Sequence, residues 1–237
     1  MIPLHDDNPT EITPMVTVAL IVLCVAIFLW QLALGDRQEF ALYALGMIPA
    51  VLFGYADLPH GMAVVAPEMT LFTSMFLHGG WMHLIGNMLY LWIFGNNVED
   101  AMGHGRFILF YLICGVAAAL AQALPDAHSE IPMIGASGAI SGVLGAYLLL
   151  YPHARVLVVI PFGFYLHSMS LKAGWVLGFW FAMQLVSTLL NQGQQGGVAW
   201  GAHIGGFVAG LALVALFKRR DVPLFHPERP SGDDWRG

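Results

Sequence analysis

Six stretches of this chain carry no Asp, Glu, Lys or Arg: 15–34, 81–98, 107–124, 137–151, 173–190 and 199–217. About 20 apolar helical residues cross the ~30 Å hydrocarbon layer of a bilayer. Only helices or closed barrels satisfy their backbone there. The expected fold is therefore all-α, a polytopic membrane bundle of six transmembrane helices. Composition agrees. Charged residues make up 10% and hydrophobic residues 58% of the 237, against a usual ~25% and ~45–50%. That balance excludes disorder, a fibre and an ordinary cytosolic enzyme.

The basic residues set an expected orientation. With both termini inside, Arg106, Arg155, Lys172, Lys218, Arg219, Arg220, Arg229 and Arg236 fall on the inner side and Arg37 alone on the outer side. This follows the positive-inside rule. Residues 1–14 read as a cytoplasmic segment. They lack Lys and Arg, so the first span is expected to be retained and not cleaved as a signal peptide. Residues 15–217 read as the six-span domain. Its outer loop, 35–80, is long and apolar, and is expected to lie in or re-enter the interface. Residues 218–237 read as a disordered cytoplasmic tail. A net charge of −6, with one short basic cluster at 218–220, leaves nucleic acid without a docking face. Cys24 and Cys114 sit in apolar runs and read as small core residues.

Polar side chains inside spans are expensive, and they concentrate on three helices. His83 and Asn87 are four residues apart and share a face of the second span. Ser137 opens the fourth span and His203 the sixth. All three spans run inward from the outer side, so these groups meet at one level, where three positive helix ends converge. Counting back from Tyr151 at ~1.5 Å per residue places Ser137 roughly 9 Å below the outer surface. The stretch 131–135 before it is expected to be non-helical and to line a wet pocket. Small residues at 137, 141 and 145, and the pairs Gly201/Gly205 and Gly206/Gly210, allow close helix approach.

Taken singly, each signal has a structural explanation: serine in a packing stripe, histidine as a satisfied buried group, GxxxG as a helix contact. Their coincidence at one level suits acyl transfer. A serine needs a base within hydrogen-bond reach, and an oxyanion needs donors. No HExxH motif marks a metal site, and no carboxylate pair in the spans serves an aspartyl mechanism. With no third acid available, the unit is a Ser–His dyad. The remaining histidines receive no role, although the place of His78 near the outer end of the second span would let it line the pocket.

The motifs Gly135-Ala136-Ser137-Gly138, Gly201-Ala202-His203-Ile204-Gly205-Gly206 and His83-x-x-x-Asn87, with 97–100 and 105–107 fitting a cytoplasmic turn, resemble the rhomboid family of intramembrane serine proteases. The resemblance implies a six-helix rhomboid bundle, with Ser137 as nucleophile and His203 as general base. It also implies an oxyanion hole of His83, Asn87 and the Ser137 backbone N–H, shaped by Gly135. Substrates would be single-pass or otherwise membrane-anchored proteins, cut in or near the span, with no cofactor and no metal. The compact form suggests a bacterial inner membrane, with the active site opening to the outer side. Two features of some members are absent: a Tyr four residues after the serine, where Ser141 stands, and a Trp-Arg pair in the first loop. The alternative readings are a non-catalytic rhomboid-like client-binding protein and a small transporter. Oligomeric state is not encoded in any of these signals.

Overall fold

A computed structural model describes residues 1–162, 165–190 and 199–226. The long helices are α1 (Met15–Ala33), α3 (81–102), α4 (His104–Ala123), α5 (Ser137–Leu150), α6 (Ala173–Leu190) and α7 (Trp200–Phe217). A short helix, α2 (Gln38–Leu45), lies between the first two. Helix α3 is continuous through three parts: Trp81–Tyr90, a π-helical segment Leu91–Gly95, and Asn96–Met102. Among the described residues, four helices are long and apolar enough to cross a membrane: α1, α4 with the turn that extends it to Asp126, α6 and α7.

Helix α5 lies at the centre. Its buried residues run almost unbroken from Gly138 to Tyr147, as expected of a helix surrounded on all sides. Helices α4 and α7 flank it. On α7, Gly206 and Gly210 face Gly138 and Gly142 of α5 with no room for a β-carbon. The other stripe of α7, Gly201 and Gly205, faces Gln122 and Ala121 of α4. The two small-residue motifs of one helix thus serve two neighbours, which draws all three backbones together.

Four expectations are corrected. The fold is mostly helical but not all-α. Strands β1 (Ile2–Asp6), β2 (Arg155–Phe162) and β3 (Tyr165–Lys172) form an antiparallel sheet in that order. The pairing of β2 with β3 runs from Arg155↔Lys172 to Phe162↔Tyr165. The Val-rich run 155–160 suits a pleated, half-buried surface, and Val156 and Val158 point into the core. The N-terminal segment is therefore structured, and Tyr147 Oη donates to Asp6 Oδ2 at 2.6 Å.

Second, the helix expected to stop at Val98 continues to Met102 and carries Glu99 and Asp100 inside. Glu99 is 0% exposed. It accepts from Val16 N (2.9 Å), Thr17 N (2.7 Å) and Thr17 Oγ1 (2.7 Å), and contacts His104 Nδ1 at 2.6 Å. The carboxylate fills the open donors of the first turn of α1, which makes its burial tolerable.

Third, residues 35–80 are not a bare loop. They fold into α2 and a series of short turns, with Met47, Ile48 and Ala50 buried. Fourth, the tail is ordered as far as residue 226. Phe225 N and His226 N donate to the carbonyls of Leu149 and Leu150, and Arg219 N donates to Ala101. Those α5 carbonyls have no partner within their own helix, so the chain that follows α7 caps them. Residues 227–237 lie outside the described residues.

Candidate functional site

Ser137 is the first residue of α5, and the chain at 131–135 is non-helical, as its sequence predicts. That approach is fixed by backbone bonds. Met47 and Met133 exchange a pair at 3.0 and 2.8 Å, and Gly135 N donates to Ser74 O at 2.9 Å. Gly135 has φ +117°, in the region that side chains avoid. A β-carbon there would also meet the His83 ring at 2.7 Å. Both constraints select glycine. A cavity of water size adjoins Ser137, lined by Ser74, Met75, Gly115, Met133, Gly135 and Gly138.

His83 comes from the first turn of α3. Gly79 N donates to His83 Nδ1 at 3.3 Å, so the neutral ring carries its proton on Nε2, the atom that faces Gly135. The loop ahead of α3 is clamped from α1. Gln31 accepts from His78 N at 3.0 Å and donates to His78 O at 3.2 Å. His78 itself is buried against His83, with ring centroids 5.1 Å apart. Asn87, one turn further along α3, is 8% exposed. Its Nδ2 has no acceptor among the described residues.

His203 lies in the first turn of α7 and is 9% exposed. Its Nε2 stands 2.9 Å from Ser137 Oγ, and its Nδ1 stands 2.8 Å from Gln184 Oε1 on α6. Trp180 and Trp200 border the ring, with centroids at 5.9 and 6.0 Å. Ser141 donates to Ser137 O at 2.7 Å and leaves the histidine alone.

Ser137, His203, His83 and Gly135 thus lie together, and Asn87 stands one turn further along α3 from His83. Sequence reasoning missed Gln184, Trp180 and Gln31. Gln184 and Gln31 are rare amides in apolar spans, which was the available signal. They lie on α6 and α1, outside the three helices whose N-termini meet at the site.

Comparison with known proteins settles the lineage. Residues 67–220 match the family model described as the rhomboid domain. The chain belongs to the rhomboid family. This rhomboid is similar to "Rhomboid protease GluP" of Bacillus subtilis, 39% identical over 143 residues, covering 60% of the chain and 25% of that protein. It is 30% identical over 195 residues to "RHOMBOID-like protein 1" of Arabidopsis thaliana, covering 82% of the chain and 46% of that relative. It is 25% identical over 229 residues to the mouse "Presenilin-associated rhomboid-like protein, mitochondrial", covering 86% and 57%. The chain thus spans between a quarter and somewhat over half of these relatives' lengths. Family and apolar helices together make the rhomboid an integral membrane protein.

Proposed function

We propose that this rhomboid is an intramembrane serine endopeptidase that cuts single-pass or otherwise membrane-anchored proteins in or near the span. The observation that carries this reading is the 2.9 Å contact between His203 Nε2 and Ser137 Oγ, buried between two helices that glycines hold together. Ser137 Oγ attacks the scissile carbonyl while His203 takes its proton. The oxyanion is met by His83 Nε2–H, the Asn87 amide and the Ser137 backbone N–H, with Gly135 giving it room. The unpartnered Asn87 Nδ2 supports this assignment, because a buried donor without an acceptor is costly unless a ligand uses it. His203 then gives its proton to the leaving amine, and water releases the acyl group by the reverse path. No metal or cofactor takes part.

In this reading α3 and α5 are embedded with the four longer helices, giving six spans. At ~1.5 Å per residue α3 reaches about 33 Å and α5 about 21 Å. Both termini are cytoplasmic, the site opens to the outer side of a bacterial inner membrane, and substrate enters between α3 and α6.

The test is labelling of the purified full chain by a fluorescent fluorophosphonate, with cleavage of single-pass proteins in liposomes as the second readout. Wild type is expected to label and to cleave, while Ser137→Ala and His203→Ala do neither. A folded wild type that never labels overturns the assignment and favours the client-binding alternative.

A further inference from the structure

We infer that Gln184 is the positioning residue for His203, supplying from α6 the neutral acceptor that holds the ring in its working tautomer. The inference rests on the Ser137–His203 reading above and adds to it a residue from a third helix.

An amide side chain offers one acceptor oxygen and one donor nitrogen, and its orientation follows from what each atom faces. Gln184 Nε2 donates to Trp180 O, one turn back along α6, at 3.4 Å. That leaves Oε1 on the side of His203, at 2.8 Å from Nδ1. An amide oxygen only accepts, so Nδ1 carries the proton. In a neutral imidazole the other nitrogen is then bare. That nitrogen, Nε2, is the one 2.9 Å from Ser137 Oγ. The chain of bonds therefore runs in one direction, from Ser137 O–H to Nε2 and from Nδ1–H to Gln184.

Burial gives the bond its consequence. Gln184 is 7% exposed on a helix whose outer face is otherwise apolar, so little water is available to replace it. Without the acceptor, the ring is free to move its proton to Nε2, which then faces Ser137 as a second donor and takes no proton. The aromatic neighbours Trp180 and Trp200 restrain the ring plane, but an aromatic face does not choose between tautomers in this way. In serine enzymes with a third member, a carboxylate does this work. Here a neutral amide does it, which avoids placing a charge among apolar helices.

The experiment compares Gln184→Met, which keeps length and removes the acceptor, with Gln184→Glu, which keeps an acceptor oxygen. The expected result is fluorophosphonate labelling of Ser137 about tenfold slower in Gln184→Met, with its melting temperature in micelles retained. Gln184→Glu restores most of the lost rate. A purely structural role would make the two variants alike. Independently, nitrogen NMR of 15N-histidine-labelled wild type is expected to show His203 protonated on Nδ1, and Gln184→Met to show a tautomer mixture. Wild-type labelling speed in Gln184→Met overturns the inference, as does a wild-type ring protonated on Nε2. A wild type that has the Nδ1 tautomer yet never labels removes the protease reading and leaves the hydrogen bond standing, so the two failures are distinguishable.

Discussion

The two sides of the site are built differently. Ser137 and His203 stand on α5 and α7, whose backbones touch through Gly138, Gly142, Gly206 and Gly210. Gln184 stands on α6, which buries little besides Ala173, Val176, Leu177 and Gln184 itself and exposes Trp175, Phe179, Leu189 and Leu190. On the first side, contact is backbone to backbone, and a distance cannot change without moving a whole helix. On the second, contact is side chain to side chain, chiefly Phe181 stacked on Phe207 at 4.4 Å. In the proposed reading a nucleophile and its base need a fixed separation, while a substrate arriving from lipid needs an opening, and the division of α5–α7 from α6 fits both needs.

The glycine seam tolerates substitution least. A side chain at Gly210 would run into the Gly142 carbonyl, and no rotamer avoids a backbone atom. Gly210→Leu is expected to cost well beyond the ~1–3 kcal/mol of an ordinary overpacked core. It should abolish cooperative melting together with labelling. Normal melting in that variant would show that the seam has slack. Glu99→Ala tests how the compact side is tied to α1. It leaves the Val16 and Thr17 N–H groups without their acceptor, and the expected loss is about 3 kcal/mol or more. Thermal melting checks it, with slowed labelling following only from the population unfolded.

How much of this was legible beforehand follows from where each signal originates. The start of helix α6 was readable to the residue because a charge-free run begins immediately after Lys172. The end of α3 was not, because Glu99 looks like a terminator until α1 is seen to need its carboxylate. That pairing spans more than eighty residues and leaves no local trace. The strands β2 and β3 did leave a trace, in the run of valines in β2, which a membrane reading assigns to a loop. The proximity of Ser137, His203 and His83 was legible because topology brings three helix starts to one level. Gln184 lies mid-helix, and only the tertiary packing of α6 turns it toward His203.

Asp6 tests the compact side at its far end. Burial pushes its carboxyl from 3.8 up to about 6, against a smaller opposing effect of the Tyr147 hydrogen bond. The folded state therefore holds this proton more tightly than the unfolded one. The stabilisation is full below about pH 4 and is lost as pH rises through about 6, a span worth about 3 kcal/mol. Asp6→Asn should flatten that part of the profile. The check is the difference in melting temperature between wild type and variant across pH 4–8. A constant difference would mean that Asp6 does not titrate in this range.

The open side is expected to respond more mildly. Phe181→Ala removes the stack on Phe207. The aromatic contact is worth about 1 kcal/mol beyond area burial, and Phe181 is only half-buried against the core, so melting should shift less than in the other variants. The Ser137–His203 separation is set by the seam and should not change. The seat of Gln184 is set by α6 and should loosen. Phe181→Ala is therefore expected to slow fluorophosphonate labelling a few-fold, in the direction of Gln184→Met but less far. In a Gln184→Met background it should have almost no further effect, because the bond it loosens is already gone. Additive losses in the double variant would instead place Phe181 in the seam's own support, and α6 would then belong to the rigid side of the molecule.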